Sequence, residues 1–293
     1  MKFNELTKKE AEIIEKKGTE APFSGQYNDH FKKGIYICRR CGQPLCESKD
    51  KFKSGCGWPS FDEEIAGAVK RVPDADGQRT EITCANCRAH LGHVFTGEKL
   101  TENNTRHCVN SISMIFIPED FNQDEENYTI FGGGCFWCLE AIFKEVIGVK
   151  NVISGYAGGY SLNPIYDNLD GHAEVIKVIF DSGKVKFNKL LEVFFSIHDS
   201  TTLDRQGNDV GPQYRSIILF PTLEQKKQAE IMIKELTEEK VFKNKIVTEL
   251  KPLIRFYPAE DYHQDYFIKN KEKSYCQLVI NPKLEKFKEK YKK

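Results

Sequence analysis

Through the first 118 positions, apolar residues come in short runs that alternate with polar ones and are broken by Gly, Pro and Asp. Gly34-Ile-Tyr-Ile-Cys38, Arg79-Thr-Glu-Ile-Thr-Cys84 and Ser111-Ile-Ser-Met-Ile-Phe-Ile117 read as strands of a mainly β domain. One helix precedes them: Thr7-Lys-Lys-Glu10 is a capping box, and Gly18 is expected to close the helix it opens. Residues 119–127 are acidic and polar and read as a linker. From Tyr128 the period changes. A short strand, Tyr128-Thr-Ile-Phe131, runs into three glycines, and Phe136, Leu139, Phe143 and Val146 then recur at helical spacing. Glu174–Phe180, Arg215–Phe220 and Ile246–Leu253 read as strands, Phe187–His198 and Thr222–Lys240 as helices. Mixed strands and helices in 128–293 indicate an α/β or α+β layer. The halves share no internal repeat, so the chain reads as a fusion of unlike domains, 1–118 and 128–293.

The 293-residue length agrees with two domains of roughly 100–200 residues each. An apolar content of 40% is enough for two cores. The formal net charge is zero, which argues against a broad polyanion-binding face and hence against nucleic acid. The basic C-terminal run from Lys283 reads as a solvated helix end. No apolar run reaches membrane-spanning length, and the N-terminus lacks an apolar signal core. A cytoplasmic protein with reduced thiols is therefore expected. Its ten cysteines then read as metal ligands, reactive thiols or buried small hydrophobes.

Four of them form a pair of knuckles, Cys38-Arg-Arg-Cys41 and Cys84-Ala-Asn-Cys87. Four thiolates supply the number and softness that a tetrahedral structural Zn2+ needs, and a closed set of four leaves no open position for catalysis. Cys46 lies outside the pair and reads as a buried hydrophobe.

Two further environments suit a reactive thiol. In the first half, Gly55-Cys56-Gly-Trp58 is a tight turn beside a large ring, and His90-Leu-Gly-His93 offers two imidazoles that can deliver a proton near neutral pH. Arg106, Cys108 and Asn110 fall on one face if the segment is a strand, and the cation favours a thiolate at Cys108. In the second half, Gly132-Gly-Gly-Cys135 places a thiol where a strand gives way to a helix. Unpaired N–H groups and the helix dipole favour the thiolate there. Phe136 and Trp137 can wall an apolar pocket. Glu174 is a carboxylate that burial can hold protonated, and Asp209 and Tyr214 add polar groups.

These motifs carry a resemblance. Cys38-x-x-Cys41, Ser54-Gly-Cys-Gly-Trp-Pro-Ser-Phe61, His90-Leu-Gly-His-Val-Phe95 and Arg106-His-Cys-Val-Asn-Ser111 resemble the B-type methionine sulfoxide reductases, specific for the R sulfoxide, over about residues 5–118. The resemblance implies Cys108 as nucleophile and Cys56 as resolving thiol. It implies His90 or His93 as proton donor, and Trp58, Arg106 and Asn110 around the substrate. His107 departs from the family, which usually has Tyr or Phe there.

Gly134-Cys-Phe-Trp137, Tyr156-Ala-Gly-Gly-Tyr160, Asn163-Pro-Ile-Tyr166, Gly171-His-Ala-Glu174, Gln206-Gly-Asn-Asp-Val-Gly211, Gln213-Tyr-Arg-Ser216 and Ala259-Glu-Asp-Tyr-His-Gln-Asp265 resemble the A-type reductases, specific for the S sulfoxide. That resemblance implies an α+β sandwich of the ferredoxin-like plait type. It makes Cys135 the nucleophile and Glu174 the proton donor. Tyr166, Asp209 and Tyr214 become the polar side of the pocket, with Phe136 and Trp137 around the methyl group. The stretch between Tyr166 and Gly171 is shorter than the family's. Cys276 matches a C-terminal resolving position. Cys138 offers an alternative, but two helical residues three apart would strain a disulfide, so it reads as a packed helix residue.

The joint implication is repair of both epimers of methionine sulfoxide, free or in proteins, one pocket per epimer. Thioredoxin is the implied reductant, and no redox cofactor is needed. Two rival readings differ in class: a zinc-ribbon binding module joined to a thiol enzyme, and a general disulfide oxidoreductase using Cys135-Phe-Trp-Cys138.

Overall fold

The computed structural model describes residues 3–74, 77–120 and 126–291. It separates into two compact units, Met1–Glu119 and Asp120–Lys293. Residues 121–125, most of the expected linker, lie outside the described residues.

The first unit is mainly β. Its helix, Lys8–Ile14, starts with the expected capping box: Glu10 N–H donates to Thr7 Oγ1, and Thr7 N–H donates to the Glu10 carboxylate. The helix stops earlier than Gly18. Lys17, not the glycine, takes the left-handed conformation at φ 60°, and Gly18 N–H then caps the Glu12 carbonyl. A three-stranded antiparallel sheet runs in the order Pro44–Glu47, Gly34–Cys38, Met114–Pro118. A six-stranded antiparallel sheet runs Lys51–Phe52, Ser60–Phe61, Thr105–Val109, His90–Thr96, Thr80–Cys84, Val69–Pro73. Tyr36, Phe61, Ile82, Leu91, Val109 and Met114 fill the core between them.

Alternation along these strands sets the chemistry. Val109 and Val94 point into the core, so Cys108 and His93, directly paired across the sheet, point to the other face. A register slip between Ile82 and Thr83 brings His90 onto that face as well, with its ring 5.7 Å from that of His93.

The second unit is α+β. Its six strands run in the order Glu249–Pro252, Ile217–Phe220, Asn127–Gly132, Ala173–Phe180, Val149–Ala157, Phe256–Pro258. All neighbours are antiparallel except the first pair, which is parallel. Helices Phe136–Phe143, Phe187–Ile197 and Leu223–Glu238 supply the other layer. Phe131 stacks on Phe194 with ring centroids 4.7 Å apart, at the centre of the core they share with Phe143, Tyr156 and Leu190. The first helix ends at Phe143, one turn before Val146, and the strand expected from Ile246 begins only at Glu249. The chain closes with helix Asn281–Tyr291, whose Leu284 and Phe287 are buried in the same core.

Candidate active sites

In the first unit the knuckles meet. The sulfurs of Cys38, Cys41, Cys84 and Cys87 all lie within 4.8 Å of one another, and Cys38–Cys87 and Cys41–Cys84 stand 3.6 Å apart. Each knuckle is tied by its own backbone, Gly42 N–H to the Cys38 carbonyl and Arg88 N–H to the Cys84 carbonyl. Four sulfurs around a tetrahedral metal at about 2.3 Å would sit about 3.8 Å apart, so the cluster has metal-binding dimensions. Cys46 is buried in the core, as expected of a small hydrophobe.

Cys108 and Cys56 form a dithiol. Their sulfurs are 3.7 Å apart, although 52 residues separate them in sequence. Gly55 and Gly57, at φ 75° and 95°, let the chain turn tightly enough to present Cys56 to the strand. Ser54 Oγ donates to Cys56 Sγ at 3.0 Å, and Ser60 Oγ lies 3.5 Å from it. Cys56 is drawn down to about 4, chiefly by its hydrogen bond with Cys108. Cys108 is pushed up by Cys56 and by burial, with Arg106 opposing.

Both imidazoles carry carboxylate anchors. His93 Nε2 is 2.7 Å from Asp74 Oδ2, and His90 Nδ1 is 2.7 Å from Glu81 Oε1. Lys17 holds the other Glu81 oxygen at 2.7 Å. His90 Nε2 is buried and has no hydrogen-bond partner among the described residues. Burial lowers the pKa of His90, and Glu81 opposes that shift. Arg106 makes a two-pronged pair with Glu98, at 2.7 and 2.8 Å, and lies over the Phe95 ring.

Two residues expected around the substrate hold the scaffold. Asn110 Oδ1 accepts from Glu20 N–H at 3.0 Å while its amide donates to the Leu91 carbonyl, and Trp58 Nε1 donates to the Glu20 carbonyl at 2.9 Å. His107 faces the opposite way from Cys108. It is buried between Glu64, Arg71 and the Phe61 carbonyl, so the departure at this position falls on the core side of the strand.

In the second unit Cys135 is the N-cap of helix Phe136–Phe143. Gly134, at φ 94° and packed against Gln206, permits the turn that puts it there. Glu174 is buried and accepts the Phe136 N–H at 3.0 Å, which brings its carboxyl to the helix start. Burial, and then Cys135, push the Glu174 pKa well above the ordinary carboxyl range. Cys135, Cys138 and Cys276 share one buried cluster, with Tyr214 and Tyr275 packed on it. Asp209 accepts from Tyr275 OH at 3.3 Å. Tyr166 is 41% exposed and reaches the site's edge through His263, at 4.7 Å between rings.

Several participants were not anticipated. Tyr266 lies flat on Trp137 at 3.6 Å, and Trp137 Nε1 donates to His263 Nδ1 at 3.2 Å. Lys283 Nζ stands 3.9 Å from Cys138 Sγ. Spacing alone gave no signal for these, because tertiary packing of the C-terminal stretch brings them to the site. Cys138 is a buried helix residue, as expected, but the strain argument changes. Cys135 has an extended ψ of 123° and is not itself helical, so the strain expected of two in-helix cysteines does not apply.

Two cysteine clusters, each beside groups able to carry a proton, place the molecule among thiol-based oxidoreductases. The family described as peptide methionine sulfoxide reductase matches residues 127–293, and the SelR domain matches residues 6–118. The chain belongs to the peptide methionine sulfoxide reductase family, joined to a SelR domain. It is 56% identical over 160 residues to peptide methionine sulfoxide reductase MsrA of Saccharolobus solfataricus, which covers 53% of this chain and 89% of that protein. It is 57% identical over 160 residues to the MsrA of Sulfolobus acidocaldarius, covering 53% and 90%. The crystal structure of reduced Mxr1 from Saccharomyces cerevisiae aligns with a TM-score of 0.49 at 28% identity, over 54% of this chain and 92% of that one.

Proposed function

We propose that the chain is a bifunctional repair enzyme that reduces both epimers of methionine sulfoxide. The R epimer is taken at Cys108 and the S epimer at Cys135. The observation that carries this reading is the pairing of a SelR domain over 6–118 with a methionine sulfoxide reductase over 127–293, each holding its own dithiol. A sulfoxide sulfur is a stereocentre, so one rigid pocket suits one hand, and the two epimers call for two enzymes.

The chemistry runs in parallel. A thiolate attacks the sulfoxide sulfur while an acid protonates the oxygen. The oxygen passes to the cysteine as a sulfenic acid, and methionine leaves. Glu174 is the acid in the second unit, supported by the burial that keeps it protonated. His93 or His90 serves in the first, supported by their shared face with Cys108. Cys56 condenses with the Cys108 sulfenic acid, releasing water, and its 3.7 Å approach favours that closure. Cys276, buried in the cluster with Cys135, is the corresponding resolving position. Trp58, Arg106 and Asn110 shape the first pocket, the latter two through the contacts above. Phe136 and Trp137 take the methyl group in the second, opposite Tyr166, Asp209 and Tyr214.

Thioredoxin, or a dithiol of its kind, reopens each disulfide by exchange. Cys38, Cys41, Cys84 and Cys87 would hold a structural Zn2+, which cross-links the first unit and supplies no chemistry to the reaction. The reductase domains are 1–118 and 128–293, joined by 119–127, a division supported by the compact units. The strand order Ile217–Phe220, Asn127–Gly132, Ala173–Phe180, Val149–Ala157, with helices after the first and third strands in sequence, supports a ferredoxin-like plait extended by one strand at each edge. No helix among the described residues is long and apolar enough to cross a membrane. A cytoplasmic setting is proposed because thiolate metal ligands and dithiol centres both need reducing conditions.

Turnover of resolved R and S methionine sulfoxide with dithiothreitol tests the reading. Cys108→Ser should lose only the R epimer and Cys135→Ser only the S epimer. Either folded variant keeping both activities would sink it.

A further inference from the structure

Glu140 is a carboxylate only 1% exposed, on the helix that Cys135 caps, and the proposed cycle gives it no part. We infer that Glu140 is a positioning residue for Trp137: together with Lys144 it anchors Asp265 in a left-handed turn, and that turn clamps the indole against which the methyl group of the S epimer sits. The inference rests on the reading of Trp137 as a wall of the methyl pocket.

Trp137, Glu140 and Lys144 fall at i, i+3 and i+7, on one face of the helix, while Cys138 and Ala141 lie on another, in the thiol cluster. Residues 263–266 cover the first face. Toward the helix start they bring two rings to Trp137. Tyr266 lies flat on the indole at 3.6 Å, and His263 Nδ1 accepts from Trp137 Nε1 at 3.2 Å. Burial lowers the His263 pKa, which keeps that nitrogen an acceptor at neutral pH. Farther along the helix the segment is tied at Asp265. Glu140 Oε1 accepts the Asp265 N–H at 3.0 Å and the Lys144 ammonium at 3.0 Å, and Lys144 also pairs with the Asp265 carboxylate. Gln264 fixes the segment to the sheet: its side chain accepts from Ser154 N–H at 3.1 Å and donates to the Ser154 carbonyl at 2.9 Å.

The backbone explains why an anchor is needed. Asp265 has φ 58°, a left-handed conformation that is costly for a residue with a Cβ. It stands between the two residues that touch Trp137. Relaxation to negative φ would redirect Tyr266 while Gln264 held His263 near the sheet, and the stacked ring would leave the indole. A buried carboxylate is itself costly without partners, and here the partners of Oε1 are the N–H of the turn and the lysine that holds its side chain. Glu174 is fixed separately, by the Phe136 N–H, and Cys135 by the helix cap. Loss of the anchor should therefore weaken substrate binding and spare the chemical step.

The test is single-turnover release of methionine by the full chain, without reductant, over a range of S methionine sulfoxide concentrations. Glu140→Leu should raise the half-saturating concentration about tenfold while the limiting rate falls by less than about threefold. Glu140→Gln keeps an oxygen for the Asp265 N–H and should stay within about threefold of the parent. Asp265→Ala and Asp265→Gly ask the same question without touching the buried carboxylate, so the test survives a Glu140→Leu chain that does not fold. Both lose the side chain that Lys144 holds, but only glycine takes the left-handed turn freely. Alanine should raise the half-saturating concentration, and glycine much less. With 5-fluorotryptophan the two tryptophans give two fluorine signals. That of Trp137 should move in Glu140→Leu and Asp265→Ala and stay in Glu140→Gln. A folded Glu140→Leu that melts lower but keeps the parental half-saturating concentration and Trp137 signal would make the carboxylate a stability element and overturn the inference. Equal effects of alanine and glycine at 265 would do the same. Failure of the underlying reading looks different: Trp137→Ala itself would leave the half-saturating concentration unchanged.

Discussion

Cys108 sits in the middle of a strand, and Cys135 at the head of a helix. The first obtains its partner thiol from a glycine-flanked turn, the second from its own helix and from the C-terminal stretch. The first has imidazoles on its face; the second has one buried carboxyl tied to the helix start. The scaffolds differ, yet on the proposed reading each assembles an attacking sulfur, a proton donor and a second sulfur. The shared reaction demands only those three groups at bonding range, and that is a property of the site, not the fold. The difference lies in how each thiolate is favoured. Arg106 acts on Cys108 against the neighbouring thiol Cys56 in one unit, and the helix terminus acts on Cys135 in the other.

The sharpest break of the comparison is the exchange of each proposed nucleophile. Cys108→Ser and Cys135→Ser should each lower turnover of one epimer by about a thousandfold or more and leave the other unchanged. Next comes metal removal. Stripping the four-cysteine site should unfold the first unit and abolish R turnover, since structural zinc free energy is folding free energy. The second unit has no such cluster among its described residues, so S turnover should persist. Loss of S turnover in step with zinc content would show that the units do not fold independently.

Glu174→Gln probes the acids themselves. S turnover should fall by about a hundredfold or more, R turnover should not change, and the alkaline limb of the S profile should disappear. Stability should move the opposite way. Burial raises the folded pKa of Glu174, so the folded chain binds that proton more tightly than the unfolded one. Its contribution is therefore unfavourable above the ordinary carboxyl range and grows as pH rises toward the raised value. The glutamine variant should melt higher than the parent at neutral pH while losing activity. A variant that loses both would mark Glu174 as structural.

Much of this was legible in the sequence, for reasons that differ by residue. The knuckles declare themselves because a four-thiolate site needs two close pairs, whatever separates them. Cys135 is legible because a strand, three glycines and a helical period leave one place for the thiol. Asn110 and Trp58 were less so: their residue types suit a pocket, but their hydrogen bonds run to Glu20 and Leu91, partners set by tertiary packing. Lys283 was hidden for the same reason. In sequence it belongs to a basic helix, and only the packing of Leu284 and Phe287 turns it toward Cys138. Lys17 shows the limit of local rules, since the left-handed position fell one residue before the glycine that seemed made for it.

The smallest effect should decide between the two imidazoles of the first site. His90 Nδ1 is committed to Glu81, which leaves Nε2 buried with no partner among the described residues. A nitrogen in that state either receives a substrate atom or costs stability without return. His93 is tied through its Nε2 to Asp74 instead. Glu81 raises the pKa of His90 against burial, so Glu81→Gln should lower it further. Less imidazolium is then present at neutral pH. If His90 is the donor, R turnover should drop about threefold near pH 7 and its alkaline limb should move to lower pH, with S turnover unchanged. Asp74→Asn should leave that limb where it is. The reverse outcome, a limb that follows Asp74 and ignores Glu81, would assign the proton to His93 and make the buried His90 a prop for the strand.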